Sequence, residues 1–176
     1  MWAVTRFELQ FPPARIREFA RRFSYKDDDA RCLAAGAAAR LRGHYTRDEF
    51  LMVCGWKTAR SRPKVAANGA QAIAAATGST FAVDDERARM DALLALAGVG
   101  VPTASALLFF AFPDDYPILD VRALESLGVK GRTQYPVSFW LHYLEACRGL
   151  ARRHGVDLRT LDKALWQHSK ELVRAG

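Results

Sequence analysis

The chain has 176 residues, half of them hydrophobic, enough for a domain-sized core without metal or disulfide support. Its 26 Lys and Arg against 19 Asp and Glu leave a formal net charge of +7, a surplus that favours polyanionic partners such as nucleic acid. The three cysteines, Cys32, Cys54 and Cys147, form neither a CxxC pair nor a disulfide framework; with no metal-ligand spacing among His44, His142, His154 and His168, no bound metal is expected.

Residues Met1–Phe11 alternate in places and suit a short strand or an extended arm, closed by Pro12 and Pro13. Ile16, Phe19, Ala20 and Phe23 then recur at helical spacing beside Arg15, Arg17, Arg21 and Arg22. Asp27, Asp28 and Asp29 suit the start of the next helix, which runs towards Arg40 and ends at Gly43. Thr46 with Glu49 predicts a capping box for a helix carrying Phe50, Leu51, Val53 and Cys54 to Trp56. The basic residues Lys57, Arg60, Arg62 and Lys64 follow, with no acid among them. Asn68 or a neighbour opens a helix over Ala70–Ala76, closed by Gly78. Asp84 and Asp85 open the next, with Ala88, Leu93, Leu94 and Leu96 on its apolar stripe and Met90 on the flank. Beyond Gly98-Val99-Gly100, a helix reaches Phe112, and others are expected at Val121–Leu127, Tyr135–His154 and Leu158–Arg174. Phe109, Phe110 and Phe112 are core candidates, as are most of Tyr135, Trp140, His142 and Tyr143.

Ala and Leu are abundant, Val and Ile scarce, so the expected fold is all-α. It is expected as a single domain, 1–176, or two fused helical lobes, with a helix-hairpin-helix motif over 84–112. No basic-then-apolar leader pattern opens the sequence, and the longest apolar run, Ala104–Phe112, is too short to cross a bilayer. A soluble, cytoplasmic protein without membrane association is therefore expected.

The segment Leu96–Ala104 concentrates the chemistry. Gly98 and Gly100 bracket a tight connection between two amphipathic helices, Val99 is placed to plug the groove between them, and Pro102 suits the first turn of the second helix. The free amides of that turn make an anion site, for which a DNA phosphate is a natural ligand. A purely structural helical hairpin uses the same residues. Downstream, Asp120 follows a Pro-rich turn and precedes a helix, where an aspartate serves as an N-cap.

Leu96–Ala104 resembles the LPGVGxxTA hairpin of the helix-hairpin-helix DNA glycosylase superfamily, which includes endonuclease III and the MutY-like adenine glycosylases. Tyr116-Pro117-Ile118-Leu119-Asp120 resembles the aromatic-Pro-Ile-Leu-Asp that carries the catalytic aspartate of MutY-like members, and Gly98 and Asp120 stand 22 positions apart, the family separation. The resemblance spans residues 84–128, about a quarter of the chain. It implies a helix-hairpin-helix glycosylase-like fold, double-stranded DNA as partner, backbone binding at Gly98, Val99, Gly100 and Thr103, and Asp120 as the carboxylate facing an oxocarbenium-like sugar.

Departures from the pattern narrow the chemistry. Pro102 stands where bifunctional members carry a Schiff-base lysine, which implies a monofunctional enzyme. The four cysteines that bind an iron–sulfur cluster in endonuclease III have no counterpart, so a divergent member without cluster or other cofactor is implied. Met52–Thr58, which corresponds to the adenine-protonating region, has no acid, so the target base stays open; Asp48 and Glu49 lie one turn earlier.

Trp56, Lys57, Arg60, Arg62 and Lys64 are candidate DNA contacts or a base pocket, since cations neutralise phosphates and an indole stacks on an extruded base. Trp56 is equally the end of a core stripe. Arg122, two residues past Asp120, is placed to reach a neighbouring phosphate. Two functions stand: a monofunctional base-excision DNA N-glycosylase, a hydrolase, or a non-catalytic helix-hairpin-helix DNA-binding module in which Asp120 only caps. A helical protein with no nucleic-acid role is the third.

Overall fold

The computed structural model describes residues 5–25 and 29–174. Among these residues it holds ten α-helices and short 3-10 turns, with no β-strand. The fold is all-α. Asp27 and Asp28, expected near a helix start, lie outside the described residues. The chain divides into two compact units: Lys26–Tyr116, and Met1–Tyr25 together with Pro117–Gly176.

The middle unit contains α1 to α6 of this description: α1 (Asp29–Arg42), α2 (Arg47–Lys57), α3 (Arg62–Ala66), α4 (Ala70–Ala82), α5 (Glu86–Leu94) and α6 (Val101–Ala111). Helix α6 is its centre. Every residue of α6 except Pro102 is buried, and α1, α2 and α5 pack around it. A helix apolar on all faces needs such neighbours, because none of its sides can face water. The approach of α1 is unusually close: a Cβ added to Gly36 would lie 1.9 Å from the Phe110 carbonyl oxygen. Buried Ala35 and Ala39 flank that contact. Tyr45 donates its hydroxyl to the Leu107 carbonyl at 2.8 Å, so even the polar group of this buried ring is satisfied.

The ends of these helices follow the sequence chemistry. Thr46 and Glu49 form both halves of a capping box on α2. Asp85 caps α5, accepting from the Ala88 amide at 2.7 Å. Gly43, at φ +91°, closes α1. Two expectations are corrected. Helix α4 does not stop at Gly78 but runs to Ala82: Gly78 lies mid-helix, facing Gly43 and His44, where a Cβ would make only ordinary contacts at 3.7 and 4.0 Å. Met90, expected on a flank, is fully buried, whereas Ala88 on the expected stripe is exposed.

The other unit contains a 3-10 turn, Pro13–Arg15, continuing into αN (Ile16–Arg21), then α7 (Val121–Ser126), α8 (Val137–Arg153) and α9 (Leu158–Arg174). Of the expected Met1–Phe11 segment, residues 1–4 lie outside the described residues and 5–11 form no strand; Glu8 and Gln10 donate backbone amides to Leu127 and Ser126 at 3.1 and 2.9 Å. Helix α9 packs against αN, α7 and α8. Its His168 is buried against the Phe11 and Phe19 rings, with Nδ1 2.8 Å from the Ser126 hydroxyl. Trp140 and Tyr143 are core residues, while His142 is exposed. Among the described residues, no helix is long and apolar enough to cross a membrane.

The Gly36–Phe110 approach yields a test. Gly36→Ala places a methyl against backbone that cannot swing aside, so the cost should reach at least the upper range for overpacking, about 3 kcal/mol. Urea unfolding should show that loss, and wild-type stability in the variant would contradict the backbone contact.

Candidate functional site

The hairpin is held from below and open from above. Past the end of α5, the Val99 amide donates to the Leu96 carbonyl at 3.2 Å. Gly98 adopts φ +76°, a region that L side chains rarely enter. A Cβ there would also lie 2.6 Å from the Lys64 Cβ and 2.9 Å from the Val65 amide nitrogen, so Gly98 lets the turn rest on α3. Val99 is buried, at 7% exposure. Gly100 differs: it has φ −97°, and a Cβ would meet only the Pro102 ring, at 3.8 Å. It caps α6 without a side chain, and the Val101 and Thr103 amides belong to the first turn, where no intrahelical acceptor exists. Thr103 is buried, at 4% exposure, so its hydroxyl is not presented to solvent.

One residue fastens the hairpin. Asn68 accepts from the Ala97 amide and donates to the Ala97 carbonyl, both at 2.9 Å, and donates to the Val65 carbonyl at 2.9 Å. Arg47 braces the same loop, donating to the Asn68 and Ala66 carbonyls at 3.2 and 2.8 Å. The expectation that Asn68 or a neighbour opens the next helix resolves on Gly69, the N-cap of α4, leaving the Asn68 side chain for the hairpin. The signal was the pair Asn68-Gly69, two cap-type residues where one helix start needs one.

The basic stretch meets the hairpin at Lys64. Thr58 ends α2 and accepts from the Arg60 amide at 3.3 Å, a 3-10 turn spans Ala59–Ser61, and α3 begins at Arg62. Arg60, Arg62 and Lys64 are exposed, and no carboxylate pairs with any of them among the described residues; Lys57 is half-buried. The Arg62 guanidinium lies over Gly55, 3.6 Å from where a Cβ would stand. Trp56 is 8% exposed, meets Phe110 edge-on at 4.8 Å, and donates its indole N–H to Asp29 at 3.1 Å. It therefore does the work of a core residue, while also lining a cavity of about 720 Å³ with Arg31, Asp48 and Arg62.

Asp120 and Arg122 belong to the other unit, whose boundary falls between Tyr116 and Pro117, inside the motif. On the near side, Tyr116 lies 2.6 Å from Arg89 and donates to Glu86 at 2.7 Å. Beyond the boundary, Pro117, Ile118 and Leu119 are buried. The Ile118 amide donates to Asp162 Oδ1 at 3.1 Å, and Tyr143 donates its hydroxyl to the Ile118 carbonyl at 2.8 Å. Two buried side chains thus fix the peptides just before Asp120. Asp120 is half-buried, with extended backbone (φ −145°, ψ 147°), and caps α7 by accepting from the Arg122 amide at 2.8 Å. The Arg122 guanidinium lies 5.3 Å from the centroid of the Trp166 ring.

Burial pushes the Asp162 carboxyl above its ordinary value, opposed by Arg159 and the Ile118 amide and reinforced by the charge of Asp120. Burial likewise raises the Tyr143 phenol well above its ordinary value. From the sequence alone Tyr143 reads as a packing residue and Asp162 does not stand out. The available signal for Asp162 was an acid beside Leu158, Leu161 and Leu165 on the apolar face of α9.

No group of three or more His, Cys, Asp or Glu able to hold a metal occurs among the described residues. Comparison with protein-family models, with curated proteins and with solved structures found no match.

The Asn68 clamp can be tested without a ligand. Asn68→Ala removes three hydrogen bonds and leaves the Ala97 peptide without this partner, at a cost of about 2–3 kcal/mol. Hydrogen exchange should accelerate first at Ala97 and Val99. Unchanged protection there would show that Asn68 does not hold the hairpin.

Proposed function

We propose that this chain binds double-stranded DNA and acts as a monofunctional base-excision N-glycosylase with Asp120 as its catalytic carboxylate. The observation that carries the reading is the setting of Asp120. It stands half-buried at the start of α7, on peptides fixed through Ile118 by Tyr143 and Asp162, 22 positions after an open glycine hairpin. A carboxylate so fixed needs little rearrangement when positive charge develops opposite it. In the proposed reaction the bond from the sugar C1′ to the base nitrogen breaks, and its electron pair leaves with the base. Asp120 stabilises the oxocarbenium-like sugar. Water adds hydroxide to C1′ and its remaining proton goes to the departing base, leaving an abasic site. Hairpin amides and the cations of the basic stretch hold phosphates, a sequence-independent grip suited to searching duplex DNA.

Pro102 offers no amine, so strand cleavage through a hairpin Schiff base is outside this chemistry. The second reading, a DNA-binding module without catalysis, is favoured by the hydrogen bond from the Arg122 amide to Asp120, a bond that capping alone requires.

A panel of duplexes with damaged or mismatched bases, treated with alkali after incubation, separates the two. The enzyme reading expects alkali-labile sites for at least one lesion, no nick without alkali, and no borohydride-trapped complex through the hairpin. Asp120→Asn keeps an oxygen acceptor for the cap but loses the charge, and should slow base release by about 10²–10³-fold while duplex binding persists. Equal rates for wild type and D120N remove Asp120 from the mechanism. Duplex binding with no base release on any lesion transfers the case to the binding module.

A further inference from the structure

The second unit carries a cationic cleft that none of the residues above accounts for. Helices αN and α9 enclose a cavity of about 500 Å³ lined by Arg17, Arg21, Lys163, Thr160, Ala20 and Phe23. Three cations and no carboxylate line it. Arg17 is anchored by a hydrogen bond to the Gly155 carbonyl at 2.8 Å. Arg21 and Lys163 form no ion pair or hydrogen bond among the described residues.

The carboxylates on the same helices are engaged elsewhere. Glu18 pairs with Arg15 and Arg22, Glu171 with Arg22, and Asp162 with Arg159; Asp157 accepts from the Thr160 amide and hydroxyl at the start of α9. Among the described residues the lining of the cleft is thus net positive, and the Asp157 carboxylate is the acid bonded to it, through Thr160.

Aromatic rings extend this face. Trp166 meets Phe23 and Tyr25 edge-on, at 5.3 and 5.0 Å. Lys163 lies 5.7 Å from the Phe23 centroid, while Arg122 and Lys170 lie 5.3 and 4.9 Å from that of Trp166. A cation over a ring gains attraction from the ring quadrupole and loses rotational freedom. With cations already over Phe23 and Trp166, these rings serve as supports for charge; stacking an unpaired base on those faces would first require moving the cations.

We propose that the αN–α9 cleft and the Trp166-supported cations form a second nucleic-acid contact surface, which binds the phosphodiester backbone of duplex DNA. Charge complementarity selects a polyanion. The cations already stationed over Phe23 and Trp166 favour the backbone of a duplex over the unpaired bases of a single strand. Arg122 connects this surface to the proposed site, since it lies two residues from Asp120 and on the Trp166 ring. The proposal rests on the DNA-binding part of the reading above and does not require base release.

The test compares duplex binding over a range of salt for wild type, Arg21→Gln/Lys163→Gln, and a control, Arg152→Gln/Arg153→Gln, that removes equal charge at the end of α8. Each lost phosphate contact lowers the slope of log affinity against log salt by about 0.9, so the cleft variant should lose about two in slope and bind more weakly at low salt, with a smaller change in the control. Among the described residues neither Arg21 nor Lys163 has a carboxylate partner, so thermal melting should show the cleft variant folded. A folded cleft variant with wild-type slope and affinity overturns the proposal, as does a loss matched by the control, or one confined to a single-stranded oligonucleotide of the same length. Lack of duplex binding by wild type overturns both this surface and the DNA reading. An unchanged cleft variant beside a duplex-binding wild type removes the surface alone, and a cleft effect without base release removes only the catalytic reading.

Discussion

The contact of Gly36 with the backbone of Phe110 is the constraint on which the middle unit depends. It brings α1 against α6 at a distance that no other residue allows, and so lets α6 be buried along nearly its whole length. Burial fixes the direction of α6 and leaves Gly100 and Pro102, at its start, as the part that reaches solvent. Gly100, open at that turn, is therefore the end of a rigid core element and not the tip of a loose loop. The stiffness of the hairpin comes from the same source: Gly98 rests on α3, and Asn68 ties the Ala97 peptide to the Val65 carbonyl. Amides held in this way need no reorganisation to meet an anion, which is the property a backbone grip requires.

Asp120 depends on a different device. Its unit brings together an N-terminal arm and a C-terminal set of helices, and the peptides before Asp120 run through the buried part of that assembly. Polar backbone buried there must find partners, and the Ile118 peptide finds them in Tyr143 and Asp162. Asp162 in turn is paired with Arg159 at 2.7 Å, which offsets part of the cost of burying a carboxyl. The chain thus places a buried acid behind a half-buried one, and the mutual repulsion of the two contributes to the raised pKa of Asp162.

Local chemistry was legible where it is decided locally. The capping box of Thr46 and Glu49, the Asp85 cap, the bounds of the last helix, the burial of Val99 and the all-α class follow from residues within a turn or two of one another. What escaped depends on residues distant in sequence. Gly78 reads as a helix end, yet the helix runs past it to Ala82, alongside Gly43 and His44. Asn68 reads as a candidate cap until its partner, 29 residues away, is known. Trp56 reads equally as a stacking surface or as core, and its contacts with Phe110 and Asp29 give it the second role. The cleft of Arg21 and Lys163 joins helices more than a hundred residues apart, and neither helix alone displays it. The glycine pair and Asp120 stood out because motif spacing, unlike tertiary contact, can be read directly from the chain.

The central claim is that the hairpin backbone holds a DNA phosphate. The most direct measurement is a titration of the ¹⁵N-labelled protein with a duplex containing an abasic-site analogue, followed at the amides of Val101 and Thr103. These two resonances should be among those that move most at low salt, and should return as salt is raised. Duplex binding with both amides unmoved would contradict the claim.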